Sequence, residues 1–536
     1  MQDQNILHTQ VAIVGAGPCG VTIANYLGTF GIQTLLIERS TEILDYPRAV
    51  GADDESLRSW QGVGLAHDLL KDMIQNAPAR YHNSKGECFA QVSPGEQPHG
   101  WPRRNLFIQP LTEQTLRKGL ARFDSVRTLL GWELVSLTQN DQAVELSLTD
   151  PDGDTRQVRA AYVVGADGGR STVRSASGIE LKGMTHANKW LVIDVTDDPL
   201  DAPYTAIHCH PQRPSMSIHL PYGYRRLEFQ LLPGEDEAQI LAPAQLERLM
   251  RQHYPHDVPL PPIQRARIYL HHSRIADRFQ VGRVFVAGDA AHLQPPFFGQ
   301  GLNSGMRDAT NIAWKLALVL KGAAHPRILQ SYDSERRDHA EAMVNFATWM
   351  GRFYKPRNRL TEWCRDLFFK AIQVLPGARD HILQLRFKPM SRYTQGIVVP
   401  LAQPAGKADP VGRMFMQPLV EQDGRAHKLD DVIGPHFAVL GLGVDPTQGL
   451  TPSQRAFLDR IGARLLMVQP SRSPALRTAV DPSVTVVDDV QGKFRDWRMK
   501  QPSWDYVILR PDRYVAAVGS SARASHWVAR LEALMT

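Results

Sequence analysis

The sequence predicts an α/β fold in which parallel core strands are interrupted by an inserted, mainly antiparallel sheet and followed by a separate C-terminal unit. Three stretches carry that prediction. Residues 11–39 run apolar strand, glycine-rich turn, amphipathic helix and second apolar strand, the order of a Rossmann-like unit. Residues 189–270 change character, with runs such as WLVIDVTD, SMSIHLPYG and RRLEFQLLPGE between turn residues and little helix outside 244–253. From about residue 401 a Pro/Gly-rich stretch, PLAQPAGKADPVG, leads into a new set of short strands.

The first stretch reads VAIVGAGPCGVTIANYLGTFGIQTLLIER, with Gly15, Gly17 and Gly20 at G-x-G-x-x-G spacing. The first glycine allows the tight turn, the second lets a pyrophosphate approach the backbone, and the third packs helix on strand. Pro18 lies at the start of the helix, whose free N–H groups and dipole point at the phosphates. Glu38 ends the second strand 18 residues beyond Gly20, where an acid accepts ribose hydroxyls, and Arg39 follows it. Together these features predict a dinucleotide site; the motif alone does not separate NAD from FAD.

Composition narrows the classes. A chain of 536 residues is expected to hold about two to four domains. Its 61 basic and 55 acidic side chains leave a formal charge of +6, with no basic run of interleaved aromatics, so nucleic acid is not an expected partner. No apolar run of about 18 residues predicts a membrane span, and the N-terminus lacks the regions of a secretory leader. The four cysteines, Cys19, Cys88, Cys209 and Cys364, have no C-x-x-C spacing. A zinc or disulfide framework is not expected, and a reducing cytoplasm is the expected compartment. His208 and His210, at i, i+2, lack a third ligand, so no metal is predicted.

After Glu38, Pro47 and Gly51 mark a loop that carries Arg48, and Asp53 or Asp54 caps a helix through Leu57 and Trp60. Gly86, Pro94, Gly95, Pro98 and Gly100 punctuate a loop-rich stretch. WPRRNLFIQPLTEQTLRKGL then returns to strand and helix, with Arg103, Arg104 and Gln109 as polar groups where they begin. Residues 131–148 alternate as hairpin strands, with a turn at Asp152-Gly153. Residues 161–164 form a buried strand that ends in GADGGRSTVR, where glycines around Asp167 let backbone approach a ligand. In the inserted sheet Arg225, Arg226 and Glu228 share a strand. Residues 284–287 form another strand, ended by Gly288-Asp289, and Pro295, Pro296, Gly299 and Gly301 shape a loop. A long helix starts near Asn303, carries Ile312, Leu316 and Val319 on its apolar face, and stops at Lys321-Gly322.

The three glycine motifs, widely separated and in this order, resemble the aromatic-hydroxylase class (class A) of FAD-dependent monooxygenases. YPRAVGADDESLR, WPRRNLFIQP, NSGMRDATNIAWKLALVLKG, SYDSERRDHAEAM, LRFKPM and PVGRMFMQP are similar to its 3-(3-hydroxyphenyl)propionate hydroxylase branch over nearly the whole chain. The loop at 293–298, LQPPFF, departs from the enteric members of that branch. The resemblance implies FAD as cofactor, NADH or NADPH as co-substrate, and O₂. It implies ring hydroxylation of a small phenolic substrate through the flavin C4a-hydroperoxide, most closely ortho-hydroxylation of 3-(3-hydroxyphenyl)propionate or 3-hydroxycinnamate. A resorcinol, quinolone or polyketide ring, or a non-catalytic flavin-binding role, are the alternatives.

By position, the resemblance puts Gly288 and Asp289 at the ribityl chain and Pro296, Gly299, Gly301, Leu302 and Asn303 along the isoalloxazine ring. Arg48 and Gln109 become flavin contacts, and Asp167 serves FAD placement. A helix N-terminus beside the ring suits negative charge on reduced flavin. A phenol reacts after losing its proton, so a base or acceptor is expected; Tyr222, His210 and Glu228 are the candidates. Arg225 and Arg226 are candidates to pair with a propionate.

The expected division is 1–185 FAD-binding (first part), 186–272 substrate-binding sheet insertion, 273–345 FAD-binding return segment, 346–400 helical connection and 401–536 C-terminal domain. The resemblance makes the last thioredoxin-like. No cysteine lies beyond Cys364, so thiol redox chemistry is not expected there. Gly441 and Gly443 follow a strand, but Pro446 holds the third-glycine position, so no second dinucleotide site is predicted. Packing or homo-oligomer contact is left as the tail's work.

Overall fold

A computed structural model of the chain describes residues 6–355, 358–384, 386–402, 409–470 and 480–536. Residues 1–5 of the N-terminus, Leu385 of LRFKPM and residues 403–408 of the Pro/Gly-rich stretch lie outside the described residues.

Continuous apolar runs become strands covered on both faces. Val284–Val286, Thr155–Gly165, Ile6–Val14, Thr34–Glu38 and Val126–Leu130 pair in parallel, in that order. Val144–Thr149 pairs antiparallel with Thr155–Gly165 across the turn at Gly153, whose φ is +89°, and Glu133–Gln139 pairs antiparallel with Val144–Thr149. Helix Pro18–Thr29 packs on helix Gly301–Leu320, and Val21, Ile23, Leu27, Ile312 and Leu316 share one buried core. Asp53 caps helix Asp54–Gln61 by accepting from the Ser56 N–H at 2.9 Å. The long helix ends just before Gly322, whose φ of +69° reverses the chain. Among the described residues no helix is long and apolar enough to cross a membrane.

The second sheet has eight strands in the order His292–Leu293, Ile263–Ala276, Leu181–Val195, Arg225–Gln230, Ser215–His219, Thr205–His208, Ala79–His82, Cys88–Val92. All neighbours are antiparallel except Thr205–His208 with Ala79–His82. This sheet is wider than the expected insertion, because two strands come from the stretch around Gly86 and one from 292–293. Nor do the expected boundaries fall between elements. Residues 185–186 lie inside strand Leu181–Val195, 272–273 inside Ile263–Ala276, and 345–346 inside helix Ser331–Tyr354. The two long strands pair nearly end to end, from Leu181 with Ala276 to Val195 with Ile263, so a continuous ribbon carries the chain into and out of the insertion.

The C-terminal sheet has seven strands in the order Arg425–Lys428, Leu419–Gln422, Thr485–Asp489, Arg464–Pro470, Ala438–Leu442, Tyr506–Leu509, Val515–Gly519. The hairpin of the first two strands was not anticipated. Its turn is Asp423-Gly424, with φ of +51° and +76°, a strong local signal set between strands with few apolar residues.

One buried carboxylate ties this sheet to the rest. Glu335, on helix Ser331–Tyr354, accepts from Arg510 Nη1 and Nη2, Lys315 Nζ and Asn311 Nδ2, each at 2.7 Å, and from the Ile397 N–H at 2.8 Å. Burial alone would raise its pKa, but Arg510 and Lys315 outweigh that and hold it at about 2. Its stabilisation is therefore present above its ordinary value of 4.5 and lost as pH falls through about 2. Glu335→Gln is expected to cost about 3–5 kcal/mol at pH 7, measured by urea unfolding. The gap to wild type should close as pH falls from 4.5 toward 2; a gap constant over that range contradicts the assignment.

Candidate active site

Between the parallel sheet and the antiparallel sheet lies a cavity of about 420 Å³. Its dinucleotide end is lined by Gly17, Pro18, Ala166, Gly168, Gly288 and Asp289, and by Pro296, Gly299, Gly301, Leu302 and Asn303. Its sheet end is lined by Tyr81, Ile207, Met216, Ile218, Glu228 and Tyr354, among others.

The glycine loop has the form the spacing predicts. A Cβ on Gly15, where φ is +105°, would lie 2.4 Å from the Ala166 carbonyl oxygen, and one on Gly20 would lie 1.9 Å from that of Gly15. A Cβ on Gly17 would meet nothing within 4 Å. Two glycines thus close the turn, and the third leaves open space at a helix N-terminus, which is what a pyrophosphate needs. Glu38 is drawn toward the loop, its Oε2 accepting from the Ala16 N–H at 2.8 Å and Oε1 from the Ser40 N–H at 3.0 Å. Arg39 instead turns to solvent, 3.7 Å from Glu133.

Asp289 supplies a second test of fit. Among the described residues no hydrogen bond engages its carboxylate, which opens onto the cavity. Burial raises its pKa, and His292 and Arg48 pull it back. The turn beneath it is rigid: Asp308 Oδ2 accepts from the Gly288 N–H at 3.0 Å and lies 2.7 Å from His292 Nε2, while Oδ1 accepts from Arg336 Nε at 2.8 Å. No side chain caps helix Gly301–Leu320, so its first N–H groups stay free at the cavity wall. An open glycine cradle, a carboxylate awaiting hydroxyl donors and an uncapped helix N-terminus together fit FAD.

Other predicted residues shape this end through its loops. Asn303 Oδ1 accepts from the Asp53 N–H at 2.9 Å and Ser56 Oγ at 2.6 Å, and its Nδ2 donates to the Gly299 carbonyl at 2.7 Å. Gln109 Oε1 accepts from the Ala49 N–H at 2.7 Å, and Arg226 donates to the carbonyls of Pro47 and, at 2.9 Å, Arg48, so the Arg48 loop is held from both sides. The Asp167 carboxylate turns away from the cavity to accept from Ser171 Oγ and, at 3.1 Å, the Val173 N–H; only its neighbours Ala166 and Gly168 line the cavity.

At the sheet end the candidates separate. Side chains alternate along strand Arg225–Gln230, and the cavity is lined by Arg226 and Glu228 but not by Arg225. Arg225 is spent on Asp198 at 2.5 Å, Ser217 and the Ala202 carbonyl. Arg226 is bidentate with Asp194 at 2.8 and 3.1 Å, so its charge is already matched. Tyr222 sits on an exposed turn with φ of +59° and donates to Asp72. His210 lies beyond the end of its strand, so it does not share a face with His208; its Nδ1 accepts from the Gln212 and Arg213 N–H groups. Of the three candidate bases only Glu228 reaches the cavity. It is 6% exposed and has no hydrogen-bond partner among the described residues. Burial raises its pKa, with Arg226 lowering it and Asp194 raising it further.

Two contributors, Lys388 and Arg307, carried no local signal, and a third, Phe297, lies in a loop the sequence singled out without naming the residue. Lys388 Nζ reaches the cavity wall and donates to Asp53 Oδ2 at 2.7 Å. Arg307 donates to Asp53 and Glu55, each at 2.6 Å; burial would raise the Asp53 pKa, but Arg307 and Lys388 hold it well below the carboxylate range. Phe297, in the LQPPFF loop, stands with ring centres 5.3 Å from Trp190, 5.1 Å from His271 and 5.5 Å from Tyr354. It also lines a second cavity of about 520 Å³, with Trp190, His271 and Arg352.

Comparison with known proteins agrees with this geometry. Residues 8–347 match the family model described as FAD binding domain, and residues 412–534 that described as HcaD C-terminal domain. A 3-(3-hydroxy-phenyl)propionate/3-hydroxycinnamic acid hydroxylase of Burkholderia cenocepacia (strain HI2424) is 47% identical over 526 residues, 97% of this chain and 96% of that protein. The corresponding hydroxylase 2 of Burkholderia vietnamiensis (strain G4 / LMG 22486) is 47% identical over 521 residues, 96% of this chain and 95% of the relative. Among solved structures, the flavin-dependent monooxygenase PieE in complex with FAD and substrate matches with a TM-score of 0.81 at 22% identity over 98% of this chain and 99% of that one, a likeness of fold. The chain belongs to the FAD-binding-domain family of flavin-dependent monooxygenases, in the group of the 3-(3-hydroxyphenyl)propionate/3-hydroxycinnamic acid hydroxylases.

Proposed function

We propose that this chain hydroxylates the ring of a phenolic acid, using FAD, NADH or NADPH, and O₂, and that it acts ortho to the hydroxyl of 3-(3-hydroxyphenyl)propionate or 3-hydroxycinnamate in aromatic catabolism. The observation that carries this reading is the cavity of about 420 Å³, which joins a dinucleotide cradle to an apolar sheet wall holding a carboxylate without a hydrogen-bond partner among the described residues. Relatives 47% identical over nearly the whole chain are named for those two substrates.

Bound FAD would supply reduction by the nicotinamide and activation of O₂. The chain's own residues do the rest. Gly15, Gly17, Pro18 and Gly20 shape the cradle for the pyrophosphate, and Glu38 and Asp289 accept hydroxyl donors. The N–H groups of Gly301, Leu302 and Asn303 stabilise negative charge at the ring edge. Arg48, Gln109, Gly288, Pro296 and Gly299 border the ring, and Asp167 holds the backbone of its neighbours in place. The sheet end excludes water and positions the phenol. Glu228 accepts the phenolic proton, which makes the ortho carbon more nucleophilic.

In the same reading, residues 1–185 and 273–345 serve FAD except for strands Ala79–His82, Cys88–Val92 and His292–Leu293, which they lend to the substrate sheet of 186–272, while 346–400 form a helical connection and 401–536 are thioredoxin-like. Support for the last is the parallel pair Ala438–Leu442 and Arg464–Pro470 around helix Pro452–Arg460, followed by antiparallel Tyr506–Leu509 and Val515–Gly519 and helix Ala524–Met535. Four free cysteines support a reducing cytoplasm. Exposed Trp349, Trp363 and Phe368 support self-association.

With FAD-loaded protein, 3-(3-hydroxyphenyl)propionate should stimulate NAD(P)H oxidation and yield one 3-(2,3-dihydroxyphenyl)propionate per nicotinamide oxidised. Peroxide as the sole product would remove this substrate; no stimulation by any phenol would remove the hydroxylase reading. Glu228→Gln should lower kcat/KM roughly 10²- to 10⁴-fold. A base must be ionised to act, so wild-type kcat/KM should rise with pH through an ionisation above the ordinary carboxylate value of 4.5, and the variant should lack that limb. A variant that keeps both rate and limb would exclude Glu228.

A further inference from the structure

The cationic side chains that line the cavity differ in what they face. Arg226 is paired with Asp194 at 2.8 Å, Lys388 with Asp53 at 2.7 Å, and Arg103 lies 4.0 Å from Asp54. Arg48 stands at the dinucleotide end, close enough to Asp289 and Glu113 to offset part of the rise that burial gives the pKa of both. Arg104 is different: no carboxylate lies within ion-pair reach of it among the described residues, and it stands at the sheet end.

Its position is fixed by neutral acceptors. Nη1 donates to the carbonyls of Ala77 at 2.7 Å and Pro78 at 3.3 Å, and Nη2 donates to Thr205 Oγ1 at 2.8 Å. These bonds use three of the five guanidinium donors, and the Nε–H and one Nη2–H have no protein acceptor among the described residues. Tyr81 and Tyr354 are its nearest titratable neighbours, both kept neutral by burial. Burial lowers the pKa of Arg104, yet a guanidinium stays charged in proteins. Arg104 is half-buried, and a cation so placed without a counter-ion gains from an anion that completes it.

The register relates this cation to Glu228. Glu228 pairs with Met216 and Met216 with Ile207, while Arg226 pairs with Ile218 and Ile218 with Thr205, so these residues form two adjacent rows on one face. Two strand spacings, roughly 10 Å, separate the strand of Glu228 from that of Thr205, the partner of Arg104. Met216, Ile218 and Ile207 line the cavity between them, over a span about the length of a phenol ring carrying a short chain.

We propose that Arg104 is the carboxylate anchor of this cavity, pairing with the side-chain carboxylate of an aryl-alkanoic acid whose phenol faces Glu228. This role rests on the ring-hydroxylase reading and narrows it to phenols that carry a short acidic chain. It also replaces Arg225, which does not line the cavity, and Arg226, whose charge is already matched by Asp194.

The test compares FAD-loaded wild type, Arg104→Gln and Arg104→Lys on 3-(3-hydroxyphenyl)propionate and on uncharged 3-propylphenol. Binding of 3-phenylpropionate, read from the flavin absorbance, gives a measure independent of turnover. Arg104→Gln should lower the ratio of kcat/KM for the acid over the neutral phenol roughly 10- to 100-fold, through KM, and weaken 3-phenylpropionate by a similar factor. Arg104→Lys, which keeps the charge but not the fork, should show a smaller drop. An unchanged ratio in either variant overturns the anchor; should the glutamine variant fail to take up FAD, the lysine variant alone decides. Wild type that binds 3-phenylpropionate through Arg104 but hydroxylates no phenol would leave the anchor standing and remove the hydroxylase reading. Hydroxylation of the acid with a ratio indifferent to Arg104 would do the reverse.

Discussion

Helix Gly301–Leu320 buries Asn303, Arg307, Asp308, Asn311 and Lys315 among its polar side chains, and the rest of the molecule is arranged around the partners these five require. Arg307 holds Asp53 and Glu55, and with them the start of helix Asp54–Gln61. Asp308 holds the Gly288 turn, His292 and Arg336. Asn311 and Lys315 hold Glu335, and through it the C-terminal sheet. Removing one partner of a buried pair costs about 3–5 kcal/mol, so a slip of this helix by one residue would strand several charges at once. The helix therefore docks in one register. That register sets its uncapped N-terminus against the cavity and keeps Asp289 open toward it.

The two ends of the cavity are built by different physics. The dinucleotide end is mostly backbone: glycine turns, free N–H groups and loops clamped by amide side chains. Such a wall suits a ligand with many oxygens. The sheet end is apolar side chains interrupted by Glu228 and Arg104. Phe297 joins the two, since its loop leads into the long helix while its ring packs on Trp190 and His271 of the sheet. A change at Phe297 thus bears on the aromatic wall.

Much of this was legible in the sequence where the signal was local. Strand, glycine spacing and helix start predicted the cradle, and Arg225, Arg226 and Glu228 were placed on one strand with both arginines offered to the propionate. In the structure, alternation along that strand sets Arg226 and Glu228 at the cavity and leaves Arg225 off it. What could not be read was set by tertiary partners. Lys388 finds Asp53 from 335 positions away, and no pattern around either residue announces it. Arg104 and Arg103 are neighbours with the same chemistry; only the fold gives one a carboxylate and leaves the other without. The boundaries of the insertion were also hidden, because two paired strands run through them and the composition changes before the element does. Tyr222 shows the converse: a chemically apt side chain that its turn carries to the surface.

The most direct test of the account is a crystal structure of the FAD-loaded chain with 3-(3-hydroxyphenyl)propionate bound in the absence of oxygen. The account predicts the isoalloxazine ring against residues 299–303, the phenol between it and Glu228, and the carboxylate on Arg104. An aromatic ring in the second cavity beside His271 and Arg352, with the space between Glu228 and Arg104 filled only by water, would contradict it.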